Sequence, residues 1–446
     1  MGFAADLQAE LDAQLAATGV TGAATVVIAD GEVHVAVGGV TNVEHPNPIT
    51  ADTLFQVASN TKTFTSAAVM LLVEEGLVAL DDPLSRHLPD LVEPGGLDLD
   101  AITVEHALSH QAGFDGDHLF VHRTADLRSL HDARRLFEPG TGMSYNNAAF
   151  TLAGEIVARA SGMPFAAFVR QRLLDPLGMR SASFTADEAI TNPVAAPHWV
   201  LDGTSYVLRR GGWQPGWELA PHDHAAAGLA LSALQLAEWG RVQLTGTAAD
   251  GTRLLADESL DRLHAPVVRV DAVEEVALDW FVVTTDGHPT WSHGGVTVGY
   301  CSDLTIAPDA GVVVATVTNA TNGGWLHEHQ RRWALATAGD HHERDPEPDP
   351  SLRPDVGHLE GRYVHSFSYL DVSAGPEPGQ VTVTPVERDL DGAWLPPVEA
   401  ARTLALFGDH DAVSVGHEGP RRVVRFDPDG QWLTWGSRRP TRDQSP

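Results

Sequence analysis

Apolar residues follow a strand-like pattern in two separate parts of the chain. Residues 22–40 predict two strands around an Asp30-Gly31 turn, and residues 276–319 predict several successive strands. Between these parts, residues 77–240 have the pattern of short helices and loops. Strands first and last predict one α/β (α+β) domain, with an antiparallel sheet that uses both ends, flanking helices and a helical insertion.

The apolar spacing becomes helical directly after Ser59. Apolar residues recur at helical intervals from Phe64 to Leu72, and Gly76 stands where a helix would end. The pattern therefore predicts a helix that begins close to Ser59. Two more helices are predicted, one at the N-terminus and one at "GWLHEHQRRWALATAG", after the last strand.

The last quarter of the chain has a different pattern. Residues 340–356 are rich in proline and charge and nearly lack apolar residues, which is typical of a linker. Residues 357–446 consist of short alternating runs split by Gly, Pro and Asp, and they predict a small antiparallel β-barrel. The predicted division is a main domain at 1–339, a linker at 340–356 and a barrel domain at 357–446.

Composition narrows the range of partners and compartments. The formal net charge of the 446 residues is −31, and such a field repels nucleic acid and anionic membranes. The chain has no run of about 18 apolar residues, and its start lacks the features of a signal peptide, so we expect a cytoplasmic protein. Cys301 is the single cysteine, which allows no intrachain disulfide, and we expect it to be a small buried side chain.

Lysine occurs once in the chain, as Lys62, although lysine and arginine together number 29. Lys62 follows Ser59 by three positions at the start of the predicted helix, so the two Cβ atoms would be about 5–6 Å apart on one face. A serine hydroxyl needs a neighbouring base to act as a nucleophile, and an amine can be that base where arginine cannot. Ser-x-x-Lys alone is a weak motif, but this pair is a candidate nucleophile and base.

A second polar motif lies in "FEPGTGMSYNNAAF". Tyr145 and Asn147 follow a Pro-Gly turn and are two residues apart, so they point the same way on an extended turn. Tyr145 is a candidate proton relay, and Asn147 is a candidate partner of Lys62 and of a substrate amide. The alternative is a turn asparagine that caps the following helix.

A third motif lies in "TWSHGGVTVGY". His293 precedes Gly294 and Gly295 in a predicted edge strand, where glycine lets a substrate backbone approach closely. The backbone N–H that follows, on Val296, is a candidate to form an oxyanion hole with the N–H of Ser59. The alternative is a strand bulge with a satisfied histidine.

In this order and context, the three motifs resemble those of the serine penicillin-recognising enzymes. These include class C β-lactamases, class VIII-type esterases, D-aminopeptidases and low-molecular-weight penicillin-binding proteins. The matching positions are Ser59-x-x-Lys62, Tyr145-x-Asn147 and His293-x-Gly295, and the resemblance covers about residues 5–338. It implies a β-lactamase/transpeptidase-like fold, and the tail resembles the lipocalin-like barrel found in some relatives.

The resemblance also implies a mechanism. Ser59 would attack a carbonyl to form an acyl-enzyme, while Lys62 and Tyr145 would share general-base and general-acid duty. Asn147 would orient these groups, and the backbone N–H groups of Ser59 and Val296 would hold the oxyanion. Water or an amine would then take the acyl group.

The third motif departs from that of true β-lactamases, which usually have lysine where this chain has His293. Histidine is mostly neutral near pH 7 unless its pKa is raised, so we expect poor β-lactam hydrolysis. The first hypothesis is a hydrolase of a small ester, amide or D-residue-containing peptide. The second is a cytosolic acyltransferase or peptide cyclase, like the penicillin-binding-protein-type thioesterases of natural-product biosynthesis. A non-catalytic binding module is disfavoured because Ser59, Lys62 and Tyr145 are all present.

A few other polar residues are weaker candidates for substrate contact. His222 and His224 precede a cleft-like stretch, and Arg438 is a candidate partner for a substrate carboxylate. We interpret the histidines at 222–224, 327–329 and 340–343 as surface or loop residues, and we expect no metal site and no cofactor. The tail would cap the cleft, select substrates or make homo-oligomer contacts.

Overall fold

The structure is a computed structural model that describes residues 2–92, 96–117, 119, 127–201, 203–209, 217, 219–366, 368–387, 400–416 and 421–443. The chain divides into two compact units, each built from three segments. The first unit comprises Met1–Ala79, Ala153–Ala265 and Ala277–Glu343. The second unit comprises Leu80–Leu152, Pro266–Val276 and Arg344–Pro446.

The described elements are numbered here in chain order. The α-helices are α1 (Phe3–Thr18), α2 (Thr61–Glu74), α3 (Leu84–His87), α4 (Val104–Leu108), α5 (Asn147–Ser161), α6 (Phe165–Val169), α7 (Ala186–Ala189), α8 (His224–Ala227), α9 (Ala233–Thr245), α10 (Asp257–His264) and α11 (Gly323–Gly339). The strands are β1 (Gly22–Ala29), β2 (Glu32–Gly39), β3 (Phe55–Gln56), β4 (His198–Leu201), β5 (Thr204–Val207), β6 (Ala230–Leu231), β7 (Val268–Arg269), β8 (Glu274–Val276), β9 (Phe281–Thr285), β10 (His288–Thr297), β11 (Tyr300–Ala307), β12 (Val312–Thr318), β13 (Gly361–Val364), β14 (Ser368–Ala374), β15 (Gln380–Glu387), β16 (Arg402–Leu406), β17 (Asp411–Val415), β18 (Val423–Arg425) and β19 (Thr441–Arg442).

The main sheet of the first unit combines strands from the first and the last of its three chain segments. Its strands pair in the order β2-β1-β12-β11-β10-β9, and β1 lies antiparallel to both β2 and β12. Every residue of β1, β11 and β12 is buried, as expected for central strands covered on both faces. The turn between β1 and β2 has positive φ at Asp30 and Gly31, 52° and 77°, which confirms the predicted Asp-Gly turn.

Helices cover this sheet through close apolar packing. Leu7 of α1 and Leu335 of α11 belong to one buried cluster with Val27 of β1. On α9, a Cβ added to Gly240 would lie 2.5 Å from a Val313 side-chain atom, so α9 packs directly on β12. The fold is therefore the antiparallel sheet with flanking helices that the sequence predicted.

One hairpin of the first unit departs from the prediction. Residues 77–240 were expected to be helices and loops, but β4 and β5 pair there as an antiparallel hairpin. Gly203, with a φ of 72°, lies in its turn. The two short apolar runs at 199–201 and 206–208, separated by an Asp-Gly pair, are a strand and turn signal that the surrounding helical pattern obscured.

The second unit contains the sheet formed by the tail. Its seven strands run in the order β18-β17-β16-β15-β14-β13-β19, and all the pairs are antiparallel. The inward side chains, among them Tyr363, Leu370, Val383 and Leu404, form one buried apolar cluster. The alternating runs after residue 357 thus form the expected small antiparallel structure, as a curled sheet.

Length and apolar character together decide whether a helix could cross a membrane. Among the described residues, no single helix is long and apolar enough to do so. One bent pair, Asn147–Ser161 with Phe165–Leu174, meets the requirement by length and composition, with a bend of 73°.

Candidate active site

Ser59 lies in a strained turn at the start of α2. The turn is a single 3-10 segment, Ala58–Asn60, and Ala58 has a φ of 51°, in the left-handed region that a non-glycine residue avoids. Such a conformation costs about 1–2 kcal/mol. The Thr61 hydroxyl donates to the Ala58 carbonyl at 2.6 Å and accepts from the Leu229 N–H at 3.0 Å, so the strained turn is held from both sides.

Strands β10 and β11 also hold this turn. The Ser302 hydroxyl donates to the Val57 carbonyl at 2.7 Å, and Asn60 Nδ2 donates to the same hydroxyl at 2.8 Å. A Cβ on Gly295 would lie 2.2 Å from the Val57 carbonyl oxygen and 2.3 Å from Ser302 Oγ. Gly295 is therefore required by the close approach of β10 to the segment that precedes Ser59.

Lys62 points back toward Ser59 from the first turn of α2. Its Nζ donates to Ser59 Oγ at 3.1 Å and to the Ala226 carbonyl at 2.7 Å. The side chain has no solvent exposure. The predicted i, i+3 contact between hydroxyl and amine is thus present, and α8 supplies a second acceptor that fixes the amine in place.

The segment that carries His222 and His224 lies beside this pair. Burial raises the pKa of the Asp223 carboxyl, although the nearby His222 and Lys62 act against that rise. His222 is partly buried, with Nε2 3.4 Å from Asp223 Oδ1. His224 is buried against the Phe184 ring, with centroids 5.5 Å apart, and it is the first residue of α8, whose Ala226 carbonyl accepts from Lys62. His224 is therefore positioned to support α8.

The third motif places its histidine inside the protein. The His293 side chain is 2 % exposed, and its Nε2 lies 3.3 Å from Asp279 Oδ1. Its Nδ1 lies 2.6 Å from the Gly294 carbonyl oxygen. Val296, three residues further along β10, is 71 % exposed. The open part of the motif is therefore the backbone around Gly294 and Val296.

Tyr145 and Asn147 lie in the second unit, on the turn before and at the first residue of α5. The Tyr145 ring packs on the His110 ring, with centroids 4.3 Å apart. His110 also accepts at Nδ1 from the Asn146 N–H at 3.0 Å, and it has a positive φ of 60°. His110 therefore shapes the turn that presents Tyr145.

The Asn147 side chain is engaged with a buried carboxylate. Its Nδ2 donates to Asp117 Oδ1 at 2.6 Å, and Arg438 Nε donates to Asp117 Oδ2, also at 2.6 Å. The Arg438 side chain is 30 % exposed, and its guanidinium carbon lies 5.3 Å from the Tyr145 ring centroid. The structure thus brings together Tyr145, Asn147 and Arg438, three of the residues selected from the sequence.

Asp115 and His365 extend the same cluster. His365 Nε2 lies 3.3 Å from Asp115 Oδ1, and His365 Nδ1 lies 3.8 Å from Asp117 Oδ2. All three side chains are almost fully buried. Sequence reasoning missed this cluster because Asp115 and His365 are 250 positions apart and neither lies in a periodic motif.

The prediction that the weaker histidine candidates lie on the surface or in loops is wrong for His327. His327 is buried on α11, and burial lowers its pKa to about 3. His341 is buried as well. The helix packs against the sheet on that side, so a histidine that the sequence pattern placed in solvent is a neutral core residue.

Comparison with known proteins decides the family. The family model described as Beta-lactamase matches residues 7–339. The chain belongs to the beta-lactamase family. It is 29 % identical over 313 residues to penicillin-binding protein 4 of Amycolatopsis lactamdurans, covering 67 % of this chain and 81 % of that one. It is 35 % identical over 209 residues to esterase EstB of Burkholderia gladioli, covering 42 % of this chain and 53 % of that one.

Solved structures of similar fold extend the likeness into the tail. The crystal structure of SurE superposes with a TM-score of 0.75 at 26 % identity and covers 99 % of both chains. The octameric penicillin-binding protein homologue from Pyrococcus abyssi has the same fold, with a TM-score of 0.66 at 19 % identity, and covers 98 % of this chain and 100 % of that one. The family model and the esterase relative together identify this chain as a serine hydrolase or acyltransferase.

Proposed function

We propose that this chain is an acyl-enzyme serine hydrolase in which Ser59 is the nucleophile and Lys62 its base. The observation that carries the proposal is the 3.1 Å contact between Lys62 Nζ and Ser59 Oγ, made by the only lysine of the chain at a fully buried position. A fixed amine beside a serine hydroxyl is the arrangement that nucleophilic catalysis needs.

The remaining roles follow the family pattern. Tyr145 shares proton transfer with Lys62, and Asn147 orients the reacting groups. The backbone N–H groups of Ser59 and Val296 stabilise the oxyanion. Because the His293 side chain is turned toward Asp279, we assign it the support of β10, while Gly294 keeps the strand accessible and Gly295 lets it approach the segment before Ser59. His222 and Arg438 remain candidate substrate contacts.

The proposed substrates are small esters, amides or D-residue-containing peptides. A buried histidine paired with a carboxylate stands where true β-lactamases usually place a lysine, so a strong site for the carboxylate of a β-lactam is not expected. Two fold neighbours with TM-scores of 0.58 and 0.61 are described as a D-stereospecific amidohydrolase and a D-amino acid amidase. Their likeness concerns the fold, and it motivates including D-aminoacyl substrates in the assays.

A fluorophosphonate probe tests the proposal most directly. We expect intact mass spectrometry to show one adduct on the wild-type protein and none on Ser59→Ala. Lys62→Met should retain its fold, as judged by circular dichroism, and label much more slowly. Absence of an adduct on the wild type, or an adduct that persists on Ser59→Ala, would show that Ser59 is not the nucleophile.

The second candidate is acyl transfer from the same Ser59 intermediate to an amine. A fold neighbour, EstCE1, is described as a hydrolase with promiscuous acyltransferase activity; its TM-score is 0.62. Hydrolysis and transfer differ only in the group that reaches the acyl-enzyme. Incubation with a peptide thioester and an amine, followed by product analysis, separates them: an amide product supports transfer, and free acid alone supports hydrolysis.

A further inference from the structure

Asp117 is a buried carboxylate at the base of the Tyr-x-Asn turn. Its side chain is fully buried. Asp117 does not belong to any of the three motifs. One oxygen accepts from Asn147 Nδ2 at 2.6 Å, and the other accepts from Arg438 Nε at 2.6 Å. Arg438 Nη2 makes a further contact with Asp117 Oδ1 at 3.3 Å. The carboxylate thus links an amide of the motif to a guanidinium of the tail.

Asp117 is an anion in this setting. Burial by itself raises the pKa of the Asp117 carboxyl, but the nearby Arg438 and His365, together with hydrogen bonds from Arg438 and Asn147, bring it below its ordinary value. An ionised carboxylate can only accept hydrogen bonds. The side-chain amide of Asn147 must therefore face it with Nδ2, which turns Oδ1 away from Asp117.

Resting on the function proposed above, we infer that Asp117 is a positioning residue that sets the orientation of the Asn147 amide. With Nδ2 held by Asp117, Asn147 offers its Oδ1 as an acceptor for an N–H group of the substrate or for an ammonium group. Arg438 balances the charge of Asp117, so this part of the site presents an amide dipole without a net negative charge. An amide free to flip would offer either group and select neither.

The tail holds the same turn through its backbone. The Tyr145 N–H donates to the Ser437 carbonyl at 2.8 Å, and the Arg439 N–H donates to Ser144 Oγ at 3.1 Å. A Cβ on Gly142 would lie 2.1 Å from Arg439 Nη1, so the Arg439 guanidinium packs closely over this glycine. Residues 437–439 therefore fix the turn from outside while Asp117 fixes the amide from inside.

A metal site is the competing interpretation of this cluster. Asp115, Asp117 and His365 place three ligand-type atoms within 4.8 Å of one another. A divalent cation would have to share Asp117 with the Arg438 guanidinium, and the two positive charges would repel one another. The charge of Asp117 is already balanced by Arg438, which favours the positioning role.

A double-mutant cycle tests the inference. Asp117→Asn, Asn147→Ala and the double variant are compared for hydrolysis of D-alanine p-nitroanilide, which carries the amide N–H that Asn147 Oδ1 would accept, after each has been shown to label with a fluorophosphonate at Ser59. We expect Asp117→Asn to lower kcat/KM about 10- to 100-fold. In the Asn147→Ala background we expect the same change to cost less than about threefold, because its effect acts through Asn147.

The matched control is Asp371→Asn. Asp371 accepts from Arg362 at 2.7 and 2.8 Å, the same Arg–Asp chemistry in the same unit, but both side chains are about half exposed. We expect Asp371→Asn to leave kcat/KM unchanged within about twofold.

The exchange variant combines Asp117→Asn with Asn147→Asp and restores an amide–carboxylate hydrogen bond in the reversed direction. We expect it to melt at a higher temperature than Asp117→Asn without regaining activity.

Three results would overturn the inference. Asp117→Asn could cost the same factor with and without Asn147, which would make the loss structural. The exchange variant could regain wild-type kcat/KM, which would show that the orientation of the amide is irrelevant. Chelation with EDTA could lower wild-type activity and added Zn²⁺ restore it, which would establish the metal site instead. Failure of the wild type to label at Ser59 would refute the proposed function itself, and that outcome is separate from these three.

Discussion

Replacing Lys62 by arginine separates the need for a positive charge from the need for a group that can lose its proton. Both side chains can donate to the Ala226 carbonyl and to Ser59 Oγ, which lie 2.7 and 3.1 Å from Lys62 Nζ. Only the amine can act as a base, because a guanidinium stays protonated in proteins. General acid–base catalysis contributes about 10²–10⁴-fold, or roughly 3–5 kcal/mol of transition-state stabilisation. We therefore expect kcat for Lys62→Arg to fall by at least about 10²-fold.

The fold should survive this change at a modest cost. Lys62 has no solvent exposure, so the larger guanidinium would overpack its site and lower the free energy of unfolding by about 1–3 kcal/mol. Thermal unfolding followed by circular dichroism would measure this loss as a lower melting temperature. The assay is p-nitrophenyl ester hydrolysis under saturating substrate, with Lys62→Met as the uncharged control of similar length. Equal losses in the two variants are expected. A Lys62→Arg enzyme that keeps more than about a tenth of wild-type kcat would refute the role of Lys62 as a base.

Three further predictions follow from burial and close contact. Gly295→Ala should lower the melting temperature by several degrees, because its Cβ would lie 2.2 Å from a carbonyl oxygen. Gly294→Ala is the control and should melt close to the wild type, because the nearest atom to its Cβ is 3.9 Å away. Equal melting temperatures for the two variants would contradict this reasoning. Burial lowers the pKa of His264 to about 3, so below about pH 6.5 the unfolded chain binds a proton that the folded chain does not. The free energy of unfolding should therefore decrease as the pH falls, by up to about 1.4 kcal/mol per pH unit. In urea unfolding, His264→Phe should have a shallower acid dependence than the wild type, and identical slopes would rule out this group. Burial raises the pKa of the Cys301 thiol to about 11, so Ellman's reagent should react with the unfolded chain and leave the folded chain unlabelled. Rapid labelling of the folded chain would mean that β11 opens readily.

Local patterns in the sequence were sufficient for most of the elements and for the contact between Lys62 and Ser59. The alternation in residues 22–40 predicted β1 and β2, and the i, i+3 spacing predicted that Lys62 would reach Ser59. Both features depend on residues that are neighbours along the chain, where the geometry of strands and helices determines which side chains meet.

Contacts between distant parts of the chain could not be predicted in this way. Arg438 and Asp117 are 321 positions apart, and nothing in the spacing of either residue indicates the other. His293 and Asp279 lie closer along the chain, but their contact also depends on how the sheet packs. The curled tail sheet was predictable from alternation, but the contacts of its residues with the Tyr145 turn were not, because they depend on the tertiary fold.

Because its single lysine is buried, cleavage of this chain after lysine can measure the local unfolding of α2. An endoproteinase that cleaves only after lysine has one target, the bond that follows Lys62, and it would yield fragments 1–62 and 63–446. That bond lies in the first turn of α2, where every residue from Thr61 to Leu72 is buried, so cleavage requires this helix to leave its place. When opening is fast relative to cleavage, the proteolysis rate measures the free energy of that event. A covalent adduct on Ser59 that slows this cleavage would then quantify how strongly modification of Ser59 stabilises the helix that follows it.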